Sequence, residues 1–152
     1  MIVVLVTYAM AAVLIAAMVI EMRTGRIPNL LTVAPLALFA VLFIVAGDKV
    51  AMLWQLAFAA AVFAGGIFLY ATAGIGAGAV KMLASVALFV PISKAIVTFF
   101  VLVGAMIGCA LVIKQLRKTY ASEDSAWKIW GSPVLPMSLP IGIAGLVAMF
   151  VL

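Results

Sequence analysis

Apolar runs divided by short charged or Pro/Gly-bearing breaks set the pattern of this chain. They cover about Ile2 to Ile20, Leu30 to Ala46, Val50 to Ala73, Val80 to Val90, Ala95 to Ile113 and Pro133 to Leu152. A bilayer core about 30 Å thick needs roughly 20 apolar residues per helix, so the pattern predicts an all-α polytopic membrane protein with six transmembrane helices and a single transmembrane domain over residues 1–152. The first run is apolar from its second residue and lacks the basic start of a cleavable signal peptide, which makes it a permanent span. The fourth run is short. As a re-entrant hairpin it would leave five crossings and put the termini on opposite sides.

Composition agrees with the membrane reading: 70% of residues are hydrophobic and 9% charged, against about a quarter charged in soluble domains. The net charge of +5 does not point to nucleic acid, because the basic residues lie between apolar segments and so read as determinants of topology. With six spans one side collects Arg23, Arg26, Lys81, Lys114, Arg117, Lys118 and Lys128, and the other holds Lys49 and Lys94. With five, Lys114 to Lys128 move across and the asymmetry disappears. Six spans are therefore expected, with both termini outside and three cytoplasmic segments: Glu21 to Asn29, Ala73 to Lys81 and Lys114 to Ser132. Lys81, about one turn inside the fourth helix, can reach the interface on its long stem. Tyr120, Trp127 and Trp130 suggest that the third segment lies on the membrane surface. One cysteine, Cys109, excludes an intrachain disulfide, and the lack of histidine with four acids argues against a metal or cofactor site. Gly65-Gly66, Gly104 with Gly108, and Gly142 with Gly145 suit close helix packing.

Two polar motifs face the same predicted compartment. One is Gly74-Ile75-Gly76-Ala77-Gly78-Ala79-Val80-Lys81-Met82-Leu83, whose spacing fits neither a phosphate-binding loop nor a dinucleotide fingerprint. The other runs from Glu21 to Thr32 through Arg26-Ile27-Pro28-Asn29, where Pro28 halts one element and Asn29 can cap the next. Together they resemble the two motifs of the type IV prepilin peptidases, and Leu139-Pro140-Ile141-Gly142-Ile143-Ala144 is similar to the start of that family's last helix. The short length resembles the peptidases of Flp-type (tight adherence) pilus systems.

The resemblance implies an aspartic intramembrane endopeptidase of a bacterial or archaeal cytoplasmic membrane, lying in the lipid bilayer and cutting prepilins between a basic leader and an apolar helix. Catalytic aspartates would stand at positions 21 and 79, with Gly76, Gly78, Lys81, Ile27, Pro28 and Asn29 around the substrate. Two neighbouring carboxyls cannot both ionise, so one activates water while the other keeps its proton for the carbonyl or the leaving amine. This chain has Glu21 and Ala79. Ala79 carries no proton, and Glu21 places its carboxylate one methylene further out, a shift of about 1 Å that can cost on the order of 10²-fold. The chain is expected not to cleave, as a disabled peptidase, a natural non-catalytic relative in pilus or secretion assembly, or an enzyme using a third acid. Asp48 falls on the opposite face, and Glu123 and Asp124 lie in a polar segment. A small transporter subunit is the other class; the short fourth run and Pro91 suit it, whereas no repeated halves appear.

Overall fold

The computed structural model describes residues 1–120, 127–131 and 134–152, and all of its regular elements are helical. In chain order they are α1 (Ile2–Thr24), α2 (Asn29–Val45), α3 (Lys49–Ala73), α4 (Ala77–Ala87), α5 (Ala95–Tyr120), the single turn α6 (Lys128–Gly131) and α7 (Ser138–Phe150). A 3₁₀ turn at Ile92–Lys94 leads into α5. By length and composition α1, α3 and Ile92–Thr119 are able to cross a membrane. The apolar helices α2, α4 and α7 have 17, 11 and 13 residues, or roughly 25, 16 and 20 Å at 1.5 Å per residue.

Local chemistry explains the breaks. Gly25 closes α1 in the left-handed region at φ 69°, and its N–H donates to Glu21 O at 2.7 Å. Gly74 closes α3 in the same way at φ 68°. Glycine has no Cβ to clash there, so it ends a helix without strain. At the α2–α3 turn the Asp48 carboxylate accepts from Ala51 N–H at 2.9 Å and caps α3, while Lys49 Nζ donates to the carbonyls of Phe43 and Ile44 at the end of α2. One orphan N–H of α3 and two orphan carbonyls of α2 are satisfied within one short connection. The turn Arg26–Pro28 and the loop Ile75–Gly76 are comparably brief.

The shortest of the six longer helices lies at the centre. α4 packs on α2, α3 and α7, and α1 packs on α2 and α7. Met10, Leu14 and Ala17 of α1 meet Ala79, Met82 and Val86 of α4 and Ile141 of α7 in the main buried cluster. Close approach needs glycine at two points of α7: a Cβ at Gly142 would lie 2.7 Å from Met18 Sδ, and one at Gly145 would lie 2.9 Å from Leu14 Cδ1. By contrast, only 6% of the apolar window of α5 is buried, so this helix presents most of its side chains outward.

The contacts also fix helix directions. Glu21 meets Ser138, Asn29 meets Lys81, and Arg117 meets Val134, so these termini share one pole. At the other pole Lys94 Nζ donates to Leu152 O, near Val3, Ala46 and Met52. The six longer helices therefore alternate in direction. All the basic residues expected on one side among those described, from Arg23 to Lys128, belong to the first pole, and Lys49 and Lys94 to the second.

Candidate functional site

The first pole brings together both sequence motifs and the start of α7. Glu21 stands one turn beyond Ala17 on α1, and its Oε2 accepts from the backbone N–H of Ser138 at 2.6 Å. Ser138 is the first residue of α7, so the carboxylate meets the positive end of that helix, where an anion is stabilised by unpaired N–H groups. Ser138 Oγ donates in turn to Ala17 O. Beside Glu21 lies a cavity of about 210 Å³ bordered by Thr24, Arg26, Lys128 and Pro136. Two cationic side chains therefore share this small space with one acid.

Position 79 has a different environment. Ala79 lies in the first turn of α4, 4% exposed, within the apolar cluster that also contains Ala17. Its methyl contributes packing and no proton chemistry. Positions 21 and 79 thus belong to one pole, with residue 79 in a dry surround and the residue 21 carboxylate turned to the α7 terminus.

The glycines of the motif have distinct local roles. Gly74 supplies the left-handed turn, and Gly76 is the N-cap of α4 at φ −61° with open space where a Cβ would stand. Gly78 is covered by this chain itself: a Cβ there would lie 3.2 Å from Ile27 Cβ, so its missing side chain lets the Arg26–Pro28 turn rest on α4. Pro28 is the N-cap of α2, with φ −62°. The expected cap at Asn29 is not formed, because Pro28 takes that position and Asn29 falls one residue inside the helix. Asn29 Oδ1 accepts instead from Lys81 Nζ at 3.1 Å.

One turn further along, Ser85 Oγ donates to Thr32 O at 2.9 Å and to Lys81 O at 2.8 Å. Thr32 and Ser85 are both buried, and with Asn29 and Lys81 they form a short polar ladder between α2 and α4. The spacing Asn29-x-x-Thr32 opposite Lys81-x-x-x-Ser85 is the sequence signal for it. No comparable signal marks Ser138, whose functional group here is its backbone N–H.

Next to this site Arg23 stacks over the Trp127 ring at 4.6 Å, and Arg117 donates from Nε to Ile129 O at 2.8 Å and from Nη2 to Val134 O at 2.9 Å. These contacts hold α6 across the ends of α1 and α5, with Trp127 and Trp130 half-buried against the helices. Glu123 and Asp124 lie outside the described residues, as does Ser122. Among the described residues no group of three or more His, Cys, Asp or Glu could hold a metal ion.

A model of the type IV leader peptidase family matches residues 8–113, a stretch that contains positions 21 and 79. No curated protein and no solved structure matches the chain.

Proposed function

Because this chain belongs to the type IV leader peptidase family, we propose that it is a prepilin leader peptidase that still receives its substrate and, with Glu21 and Ala79 in place of an aspartate pair, does not cut it. The observation that carries this reading is the buried methyl of Ala79 within the matched stretch. Two carboxyls would have to share a proton for hydrolysis, and here one of the two positions cannot hold one. Losing one member of such a catalytic unit lowers the rate by roughly four to six orders of magnitude.

In this reading the substrate's leader junction lies over Ile27 and the open Gly76, while Pro28, Asn29 and Lys81 shape the turn above α4. Gly78 contributes by seating Ile27. Removing the acids removes chemistry and leaves apolar contacts in place, so binding survives. A photo-crosslinker at Ile27 or Gly76 is expected to trap co-expressed prepilin of the Flp type at its leader junction, with the prepilin recovered uncut. A crosslinker at Lys49, at the opposite pole, should not reach it. A folded, inserted protein that traps nothing from either inner position would end this reading.

The proposed setting is the cytoplasmic membrane, as one transmembrane domain with six spans and both termini outside. The alternating helix directions and the gathering of seven basic residues at one pole support it. In a background with Cys109 replaced by Ala, single cysteines at Thr24, Ala77 and Lys118 are expected to react with an impermeant maleimide from the cytoplasmic side alone. One at Asp48 should react from outside. Labelling of Lys118→Cys from outside would establish five spans instead.

A second reading, a non-catalytic partner in pilus or secretion assembly, is favoured by one contact. Glu21 is engaged with the start of α7, which is a structural use of the remaining acid.

A further inference from the structure

A trench on the outer face of the bundle, whose mouth shares Asn29 and Lys81 with the proposed substrate site, has the form of a lipid site. Its floor is α4 and its walls are α2 and α3, which both pack on α4 and hardly touch each other. Its volume is about 580 Å³. Asn29 and Lys81 stand at its mouth, Leu36, Leu56 and Phe63 form its sides, and Ala59 and Leu88, which belong to a buried cluster with Phe39, line its interior. Polarity therefore changes once along its length, from an ammonium at the pole to an apolar interior.

Lys81 has no counter-charge in this arrangement. Its Nζ meets the neutral Asn29 Oδ1, and no carboxylate among the described residues pairs with it. The family position nearest to it in sequence that would carry an acid is Ala79. A cation at the mouth of an apolar trench is complementary to a molecule with an anionic head and a hydrocarbon tail.

Along α2 the trench runs from Asn29 to Leu36, about 10 Å at 1.5 Å per residue. Its α3 wall is Leu56, Ala59, Ala60 and Phe63, so a hydrocarbon chain lying along it brings no polar group to desolvate. We propose that this trench binds an anionic phospholipid, with one acyl chain between α2 and α3 and the phosphate against Lys81.

The test uses the full chain in mild detergent with dioleoyl phosphatidylglycerol and dioleoyl phosphatidylcholine at equal concentration, read by native mass spectrometry. The phosphatidylglycerol adduct is expected to exceed the phosphatidylcholine adduct about fivefold, the effect of one lysine at a membrane surface. Lys81→Gln should bring the ratio to about one, and Lys81→Arg should keep it. Phosphatidylglycerol carrying a photoactivatable group in its acyl chain should label the α3 stretch Leu56–Phe63 in the unaltered protein, and Ala60→Trp should abolish that label. Equal retention of the two lipids, a preference that survives Lys81→Gln, or labelling confined to other segments would each overturn the proposal. So would competition by glycerol phosphate at the same concentration as the lipid, since the head alone would then suffice. Crosslinking of a prepilin helix from position 60 in native membranes would assign the trench to peptide instead.

Discussion

Replacing Glu21 and Ala79 together with aspartate is expected to turn an inert chain into one that cuts a prepilin at its leader junction, a gain of roughly four to six orders of magnitude in rate. The two positions contribute differently. An aspartate at 79 would enter an apolar cluster with Ala17, Met82 and Ile141, where desolvation favours its protonated form. That suits the partner that donates a proton. Position 21 faces the polar cavity with Arg26 and Lys128, where an ionised carboxylate is supported and can act as the base. Ala79→Asp alone should give an intermediate enzyme, about 10²-fold below the double variant, because Glu21 holds its carboxylate a methylene too far out and is engaged with Ser138 at 2.6 Å. Cleavage is measured by the mobility shift of purified prepilin in proteoliposomes. Efficient cutting by the unaltered chain would refute the account, and a folded double variant that stays inert would favour the assembly-partner reading.

A large stability effect is expected at Gly145. A Cβ there would stand 2.9 Å from Leu14 Cδ1 and 3.1 and 3.3 Å from the two methyls of Val86. Leu14 is 1% exposed in the core and has no room to retreat. Gly145→Val should therefore cost about 3 kcal/mol through overpacking. Gly108→Ala is the control: nothing lies within 4 Å of a Cβ at that site, and alanine's better helix propensity contributes up to about 1 kcal/mol in the stabilising direction. Thermal unfolding in detergent should place the two variants on opposite sides of the parent. Equal melting temperatures would mean that α7 does not pack on α1 and α4 as described.

Much of this architecture was legible in the order of apolar runs. The third run, expected over Val50 to Ala73, is the helix Lys49–Ala73, because Asp48 and Gly74 are strong end signals. The fifth was expected to stop at Ile113 and continues to Tyr120; its tail contains Lys114, Gln115 and Arg117, which break an apolar pattern yet are good helix formers. The last helix starts at Ser138, later than the expected Pro133; the stretch Val134-Leu135-Pro136-Met137 is apolar, but Pro136 disfavours helical backbone at the residue before it. Weakness of the fourth run in sequence was a matter of length, and α4 is nevertheless the hub of the bundle. Centrality is a property of contacts, which no window along the chain reports. The pairing of Ile27 with Gly78 and of Asn29 with Lys81 follows from the two motifs sharing a face. The Glu21–Ser138 bond does not, because its donor is a backbone group with no residue preference.

That bond joins residues 117 positions apart, and it has a consequence for biogenesis. During synthesis α1 is in place long before α7 exists, so the Glu21 carboxylate waits without its helix-end partner while four further apolar helices are made. Thr32 likewise waits for Ser85, 53 positions later. Helices assembled in this order gain their polar contacts late, after the loop-closure entropy between them has been overcome. The Glu21 contact therefore matures last, and a nascent chain whose final helix is missing has the Asn29–Lys81 and Thr32–Ser85 contacts within reach while Glu21 still lacks its helix-end partner.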